Sequence, residues 1–112
     1  MTDTENKIDY KYNEDMYLNK MLDYINNTYG EHYSQNKFQA TEFIMDSGHG
    51  EGFCIGNIMK YAQRYGRKGS RADARKDLLK VIHYAIIQLH VHDTETKGNN
   101  EDGPAAVIHL SR

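Results

Sequence analysis

The chain contains no tryptophan, one cysteine and one proline. A lone thiol, Cys54, cannot close an internal disulfide, and with no partner at ligand spacing it makes no zinc signature. The proline, Pro104, falls in a polar stretch near the carboxy terminus. No run approaches the roughly 20 apolar residues that a membrane span requires, and no apolar segment follows a basic amino terminus. The sequence therefore predicts a cytoplasmic protein without membrane contact. Strand-like alternation is absent over any useful length, and so are HExxH, paired CxxC, a serine nucleophile elbow, a GxGxxG fingerprint and GxxxxGK[ST]. These absences argue against zinc peptidase, serine hydrolase, dinucleotide-binding and P-loop kinase chemistry. The acidic ExxE pairs of all-α triphosphate pyrophosphohydrolases are missing too: Glu42 and Asp46 stand alone on their segment, and Asp73 and Asp77 lie among cations.

The charge present is segregated. The net charge is only −2, yet residues 1–31 carry seven acidic against three basic side chains, and residues 60–80 carry eight basic against two acidic. An anionic ligand is therefore expected in the middle of the chain.

Helical periodicity organises that middle. Gly56–Arg71, GNIMKYAQRYGRKGSR, places Asn57, Lys60 and Arg64 three and four apart, on one helical stripe. Cys54, Ile55, Ile58, Tyr61, Ala62 and Tyr65 form an apolar stripe beside it. The spacing predicts a helix from about Phe53 to Tyr65, ended by Gly66 and followed by a turn that carries Arg67, Lys68 and Arg71. Ser70 and Asp73 suit the capped start of the longest helix, about 71–92. Leu78, Leu79, Ile82, Ala85, Ile86 and Leu89 read as its core stripe. Asp73, Asp77, Lys80 and Tyr84 read as an opposite polar stripe, either solvated or shared with a partner. Ile87 and Val91 add a further apolar stripe, which predicts self-association.

Upstream, Asn13 is expected to cap a first helix bearing Tyr17, Leu18, Met21, Tyr24 and Ile25 on one face, with Gly30 as its stop. A second short helix is expected over 37–46 and a glycine-rich loop over 47–52. The fold class is all-α, a compact bundle of three to four helices with disordered or loosely docked termini. Its parts are an acidic amino-terminal segment, 1–30, a helical core domain, 31–93, and a polar tail, 94–112, ending in the apolar patch 105–110.

The sharp reading of Asn57, Lys60, Arg64, Arg67 and Lys68 is recognition of a phosphorylated small molecule. Arginine supplies a planar fork for phosphate oxygens, lysine a point charge, and asparagine a donor and acceptor for a base or sugar. Gly56 leaves room for a ligand beside the backbone, and Glu42 could tether Lys60 or Arg64. Asp77 with Lys80 and Tyr84 reads equally as an ion pair holding two helices in register. His32 could exchange protons near neutrality. A solvated basic face is the alternative, and single-stranded nucleic-acid binding is a weaker one, since Tyr61 and Tyr65 fall on the apolar stripe. No metal site is expected, although His90 and His92 invite a check for adventitious metal.

HY at 32–33, Glu42, GFCIGNIMKYAQRYGRKG at 52–69 and KDLLKVIHYAIIQL at 76–89 together resemble a small domain of unknown function of tailed bacteriophages. The same domain forms the carboxy-terminal part of a podophage nucleotide kinase. The resemblance covers about residues 31–90 and falls on His32, Tyr33, Glu42, Gly56, Asn57, Lys60, Tyr61, Arg64, Lys68, Asp77, Leu78, Lys80 and Tyr84. It implies phosphoryl transfer from a nucleoside triphosphate to a deoxynucleoside monophosphate, without a P-loop, in the infected bacterial cytoplasm. His32, Lys60 and Arg64 would be the catalytic residues. Tyr33, Glu42, Gly56, Asn57, Lys68, Asp77, Lys80 and Tyr84 would bind nucleotide; the homo-oligomer is expected separately, from the stripe of Ile87 and Val91. A non-catalytic protein that binds a host factor or sequesters nucleotide is the alternative. The chain differs from the family pattern in having Val81 for the alanine after Lys80, and in its acidic, tyrosine-rich amino-terminal segment.

Overall fold

In the computed structural model, residues 8–31, 34–67 and 69–97 are described. His32, Tyr33, Lys68 and the apolar patch at 105–110 lie outside them. Four helices follow in order: α1 Glu14–Gly30, α2 Ser34–Asp46, α3 Gly50–Arg64 and α4 Arg71–Lys97. No strand occurs among the described residues, so the fold is all-α. No helix among them is long and apolar enough to cross a membrane.

The antiparallel hairpin of α3 and α4 is the frame. Its turn is shaped by Gly66 and Gly69, whose φ angles of 76° and 87° suit a residue without Cβ. A Cβ at Gly69 would also lie 2.7 Å from the Asp73 carboxylate. That carboxylate accepts from the Ser70 backbone N–H at 3.1 Å, and the Ser70 hydroxyl accepts from the Asp73 N–H at 3.1 Å. The reciprocal pair is the expected capping box, and it holds the Asp73 carboxyl below the usual carboxylate range. At the far end of the hairpin, α3 begins at Gly50, where a Cβ would sit 3.3 Å from Cγ2 of Val91 and 3.4 Å from Cγ of Met45. Glycine allows the two helices to close there. The glycine-rich loop therefore shrinks to Ser47–His49, and Gly50 and Gly52, expected in the loop, are helical.

The inner line of the hairpin corrects the expected core. On α3 the side facing α4 carries Gly50, Cys54, Asn57 and Tyr61, spaced four, three and four. Cys54 is fully buried, whereas Ile55 and Tyr65 are exposed. On α4 the inner stripe is Ala74, Asp77, Tyr84 and Val91, with Ala74, Asp77 and Val91 buried. Leu78, Ile82, Ile86 and Leu89, expected in the core, are 42–62% exposed on another side of the helix. The reason is aromatic packing. Tyr84 stands edge-on to Phe53, centroids 5.7 Å apart, and stacks on Tyr61 at 6.1 Å, which pins this side of α4 to α3. Val91, expected on a self-association surface, is consumed inside the chain against Gly50.

Helices α1 and α2 pack more lightly, α1 onto α4, α2 onto α3, and the two against each other. Met21 is the buried anchor of α1, while Tyr17 and Leu18 of its expected packing face are exposed. Tyr29 stacks on Phe38 of α2, centroids 4.3 Å apart. Asn13 has a left-handed backbone and makes no side-chain cap, contrary to expectation; instead the Glu14 carboxylate accepts from the Tyr12 N–H at 3.1 Å.

Candidate functional site

Where α1 and α2 lean over α4, they leave a cleft of ≈ 320 Å³. From α1 and its end come Tyr24, Thr28 and Glu31; from α2 come Lys37, Phe38 and Thr41. Its floor is α4, through Lys76, Lys80, His83, Tyr84 and Ile87 at spacings of four, three, one and three. These positions fall on one side of the helix because side chains three and four apart are neighbours. Three lysines and an aromatic wall thus meet in one concavity, with Glu31 as its only carboxylate among the described residues.

Burial tunes the polar groups. His83 stands edge-on to Tyr24, centroids 6.0 Å apart. Its imidazole is held below the ordinary histidine value, first by burial and then by the charges of Lys37 and Lys80. It is therefore neutral at pH 7, with one nitrogen to donate and one to accept. Burial likewise raises the Tyr24 and Tyr84 hydroxyls, which remain protonated and able to donate.

Beside the cleft lies a cation cluster. Lys60 Nζ is 5.0 Å from the Tyr61 ring centroid, the Arg64 guanidinium carbon 5.3 Å, and Lys80 Nζ 5.4 Å. All are within reach of the ring's negative face. Arg64 Nε also lies 3.5 Å from Oδ1 of Asp77. Lys80 belongs to both places: it lines the cleft and faces Tyr61. Five cations, Lys37, Lys60, Arg64, Lys76 and Lys80, thereby outnumber the neighbouring carboxylates Glu31, Asp73 and Asp77. A bound anion would relieve their mutual repulsion.

Of the residues singled out in the sequence, Lys60, Arg64, Asp77, Lys80 and Tyr84 come together here. Lys80 and Tyr84 line the cleft, Lys60, Arg64 and Asp77 lie beside it, and three others belong to neither. The Asn57 amide donates to the Phe53 carbonyl at 2.9 Å within its own helix. Gly56 has only open space where a Cβ would stand, so no close approach requires it. Glu42 is exposed on α2 and pairs with neither Lys60 nor Arg64 among the described residues. His32, Tyr33 and Lys68 lie outside the described residues, although Glu31, next to His32, lines the cleft. Among the described residues no group of three His, Cys, Asp or Glu side chains could hold a metal ion, His90 and His92 included.

Sequence reasoning missed Tyr24, Lys37, Phe38, Lys76 and His83. Lys76 and His83 carried a signal, since they share the helical phase of Lys80. Tyr24, Lys37 and Phe38 sit on other helices and carried none.

No curated protein and no solved structure matches the chain. Residues 27–86 match a family described as protein of unknown function, DUF3310, a span that includes the cation cluster and nearly all of the cleft. Because that match covers just over half of the chain, the protein belongs to the DUF3310 family.

Proposed function

We propose that the cleft binds a nucleotide, with the base against Tyr24, Phe38 and Tyr84 and the phosphates on Lys76 and Lys80. One observation carries this reading: Lys80 is shared between an aromatic-walled cleft and a second group of cations, Lys60 and Arg64. A nucleotide needs an apolar slot for a planar base and, a few ångströms away, fixed positive charge. Neutral His83 offers the base or sugar a donor and an acceptor.

The same arrangement suits phosphoryl transfer between two nucleotides, the activity implied by the resemblance to the podophage enzyme. The acceptor deoxynucleoside monophosphate would occupy the cleft, and the triphosphate donor would lie along Lys60 and Arg64. An oxygen of the acceptor phosphate bonds to the γ-phosphorus as the bond to the β-γ bridging oxygen breaks, leaving two diphosphates. Lys80, between them, would stabilise charge on the transferring group. This is the chemistry of a phage-encoded nucleotide kinase acting during infection.

The test is calorimetric titration with deoxynucleoside mono- and triphosphates, with and without magnesium, followed by a search for diphosphate products when both are supplied. Binding with product establishes a kinase. Binding without product assigns a nucleotide-sequestering role. A protein that melts cooperatively yet binds no nucleotide refutes the cleft reading. Affinity that grows with oligonucleotide length and collapses with salt would indicate single-stranded nucleic acid instead.

A further inference from the structure

Tyr61 is not part of the cleft lining, yet its ring is shared by Lys60, Arg64 and Lys80, whose charged groups lie 5.0, 5.3 and 5.4 Å from its centroid. Lys60 and Arg64 reach the ring from its own helix, and Lys80 reaches it from α4. Three like charges so close to one point repel one another. Among the described residues, Asp77 pairs with Arg64, and no carboxylate pairs with Lys60 or Lys80. The ring is what these two lysines have in common.

A ring and a carboxylate hold a cation with different consequences. A carboxylate neutralises the charge and occupies N–H donors. The face of a phenol attracts a cation through its quadrupole and leaves the charge uncompensated. An ammonium beside Tyr61 therefore keeps both its charge and most of its donors for a ligand. The ring is also well fixed. It stacks on Tyr84 with the two planes 10° apart, and Tyr84 in turn stands edge-on to Phe53. Tyr84 walls the cleft, so one aromatic stack sets the spacing between that wall and the cations. A lysine stem that already rests on a fixed ring loses less freedom when an anion arrives, which favours binding.

We propose that Tyr61 is a positioning residue whose ring presets Lys60, Arg64 and Lys80 for a polyphosphate chain, which rests on the reading of these cations as phosphate ligands. Tyr61 itself touches no ligand and acts through the three cations. The face of the ring carries the role, and its hydroxyl does not. Three cations gathered about one ring match the charge of a di- or triphosphate better than that of a single phosphate group, for which Lys76 and Lys80 in the cleft suffice.

Calorimetric titration of the full chain with inorganic tripolyphosphate and with a deoxynucleoside triphosphate tests this, one ligand without a base and one with it. Tyr61→Phe should bind both as the wild type does. Tyr61→Leu should weaken both about tenfold. Phenylalanines bearing one, two and three fluorines at position 61 keep the shape of the ring while draining negative charge from its face, and they strengthen rather than weaken a stack on Tyr84. Affinity should fall stepwise along that series, about three- to tenfold in all, at a nearly constant melting temperature. With Lys80→Ala added, the steps should become shallower, an effect that packing alone would not produce. A flat series, or equal steps with and without Lys80, overturns the role of Tyr61 and leaves phosphate binding standing. A wild-type protein that melts cooperatively yet binds neither ligand overturns the phosphate reading and this role together.

Discussion

Arg64 and Asp77 tie the two hairpin helices together beside their turn: Nε lies 3.5 Å from Oδ1, and of the two side chains only the carboxylate is buried. The asymmetry decides which partner is dispensable. Arg64→Ala strands a buried charge, whereas Asp77→Asn removes the charge and leaves Arg64 in contact with water. Buried pairs that lose one partner cost about 3–5 kcal/mol, and the half-exposed guanidinium here lowers that to roughly 1–3 kcal/mol for Arg64→Ala. Asp77→Asn should cost less in urea denaturation. The reverse order would mean that the carboxylate does not depend on Arg64.

Lys80→Ala should lower nucleotide affinity by roughly 10- to 100-fold, the value of one charge-assisted hydrogen bond. Its melting temperature should stay close to the wild-type value, since a half-buried lysine carries little of the core. Glu42→Ala, away from the cleft, should bind as the wild type does. Titration calorimetry on both variants provides the comparison, and equal losses would contradict the placement of the phosphates.

His83 should titrate below the ordinary value of 6.5 in a histidine-resolved NMR titration, because burial and then Lys37 and Lys80 disfavour its charged form. Below pH 6.5 the unfolded chain takes up a proton that the folded chain resists. The contribution to stability is thus present above pH 6.5 and lost as pH falls through the folded value. The melting temperature should fall on acidification from pH 7 to pH 5, and His83→Gln should flatten that slope. An imidazole titrating at or above 6.5 would contradict the burial of this ring.

Gly50→Val should destabilise the fold by about 1–3 kcal/mol through overpacking, since even a Cβ there meets Val91 at 3.3 Å. Combining it with Val91→Ala should recover part of the loss, the coupling expected of touching residues. Additive losses in thermal denaturation would show that the two side chains do not share one space.

The number and order of the helices were legible in the chain because their ends are local events. Gly66, Gly69, Ser70 and Asp73 define the turn of the hairpin through backbone conformation and a reciprocal cap, and neither needs a distant partner. The inward side of α4 was not legible. Its most apolar stripe, Leu78 to Leu89, is the natural core by periodicity alone. The helix instead turns Asp77 and Tyr84 inward, where Arg64, Phe53 and Tyr61 wait on α3. A helix with two usable faces is assigned by its neighbour, and a neighbour's face cannot be read from one segment. The candidate site divides in the same way. Lys60, Arg64, Asp77, Lys80 and Tyr84 stood out by spacing within the hairpin, whereas Tyr24, Lys37 and Phe38 reach the cleft only through tertiary packing.

Along α4 the residues of the two outer faces are interleaved: Lys76, Leu78, Lys80, Ile82, His83 and Ile86 alternate between the cleft and the apolar side. A single substitution can therefore alter one face and spare the other. A single inserted or deleted residue cannot, because it turns everything beyond it by about 100° and misplaces cleft, inner line and apolar face at once. The long helix of this chain can therefore change in composition more readily than in its count of residues, and a gain or loss of length is borne best in the connections or beyond its end.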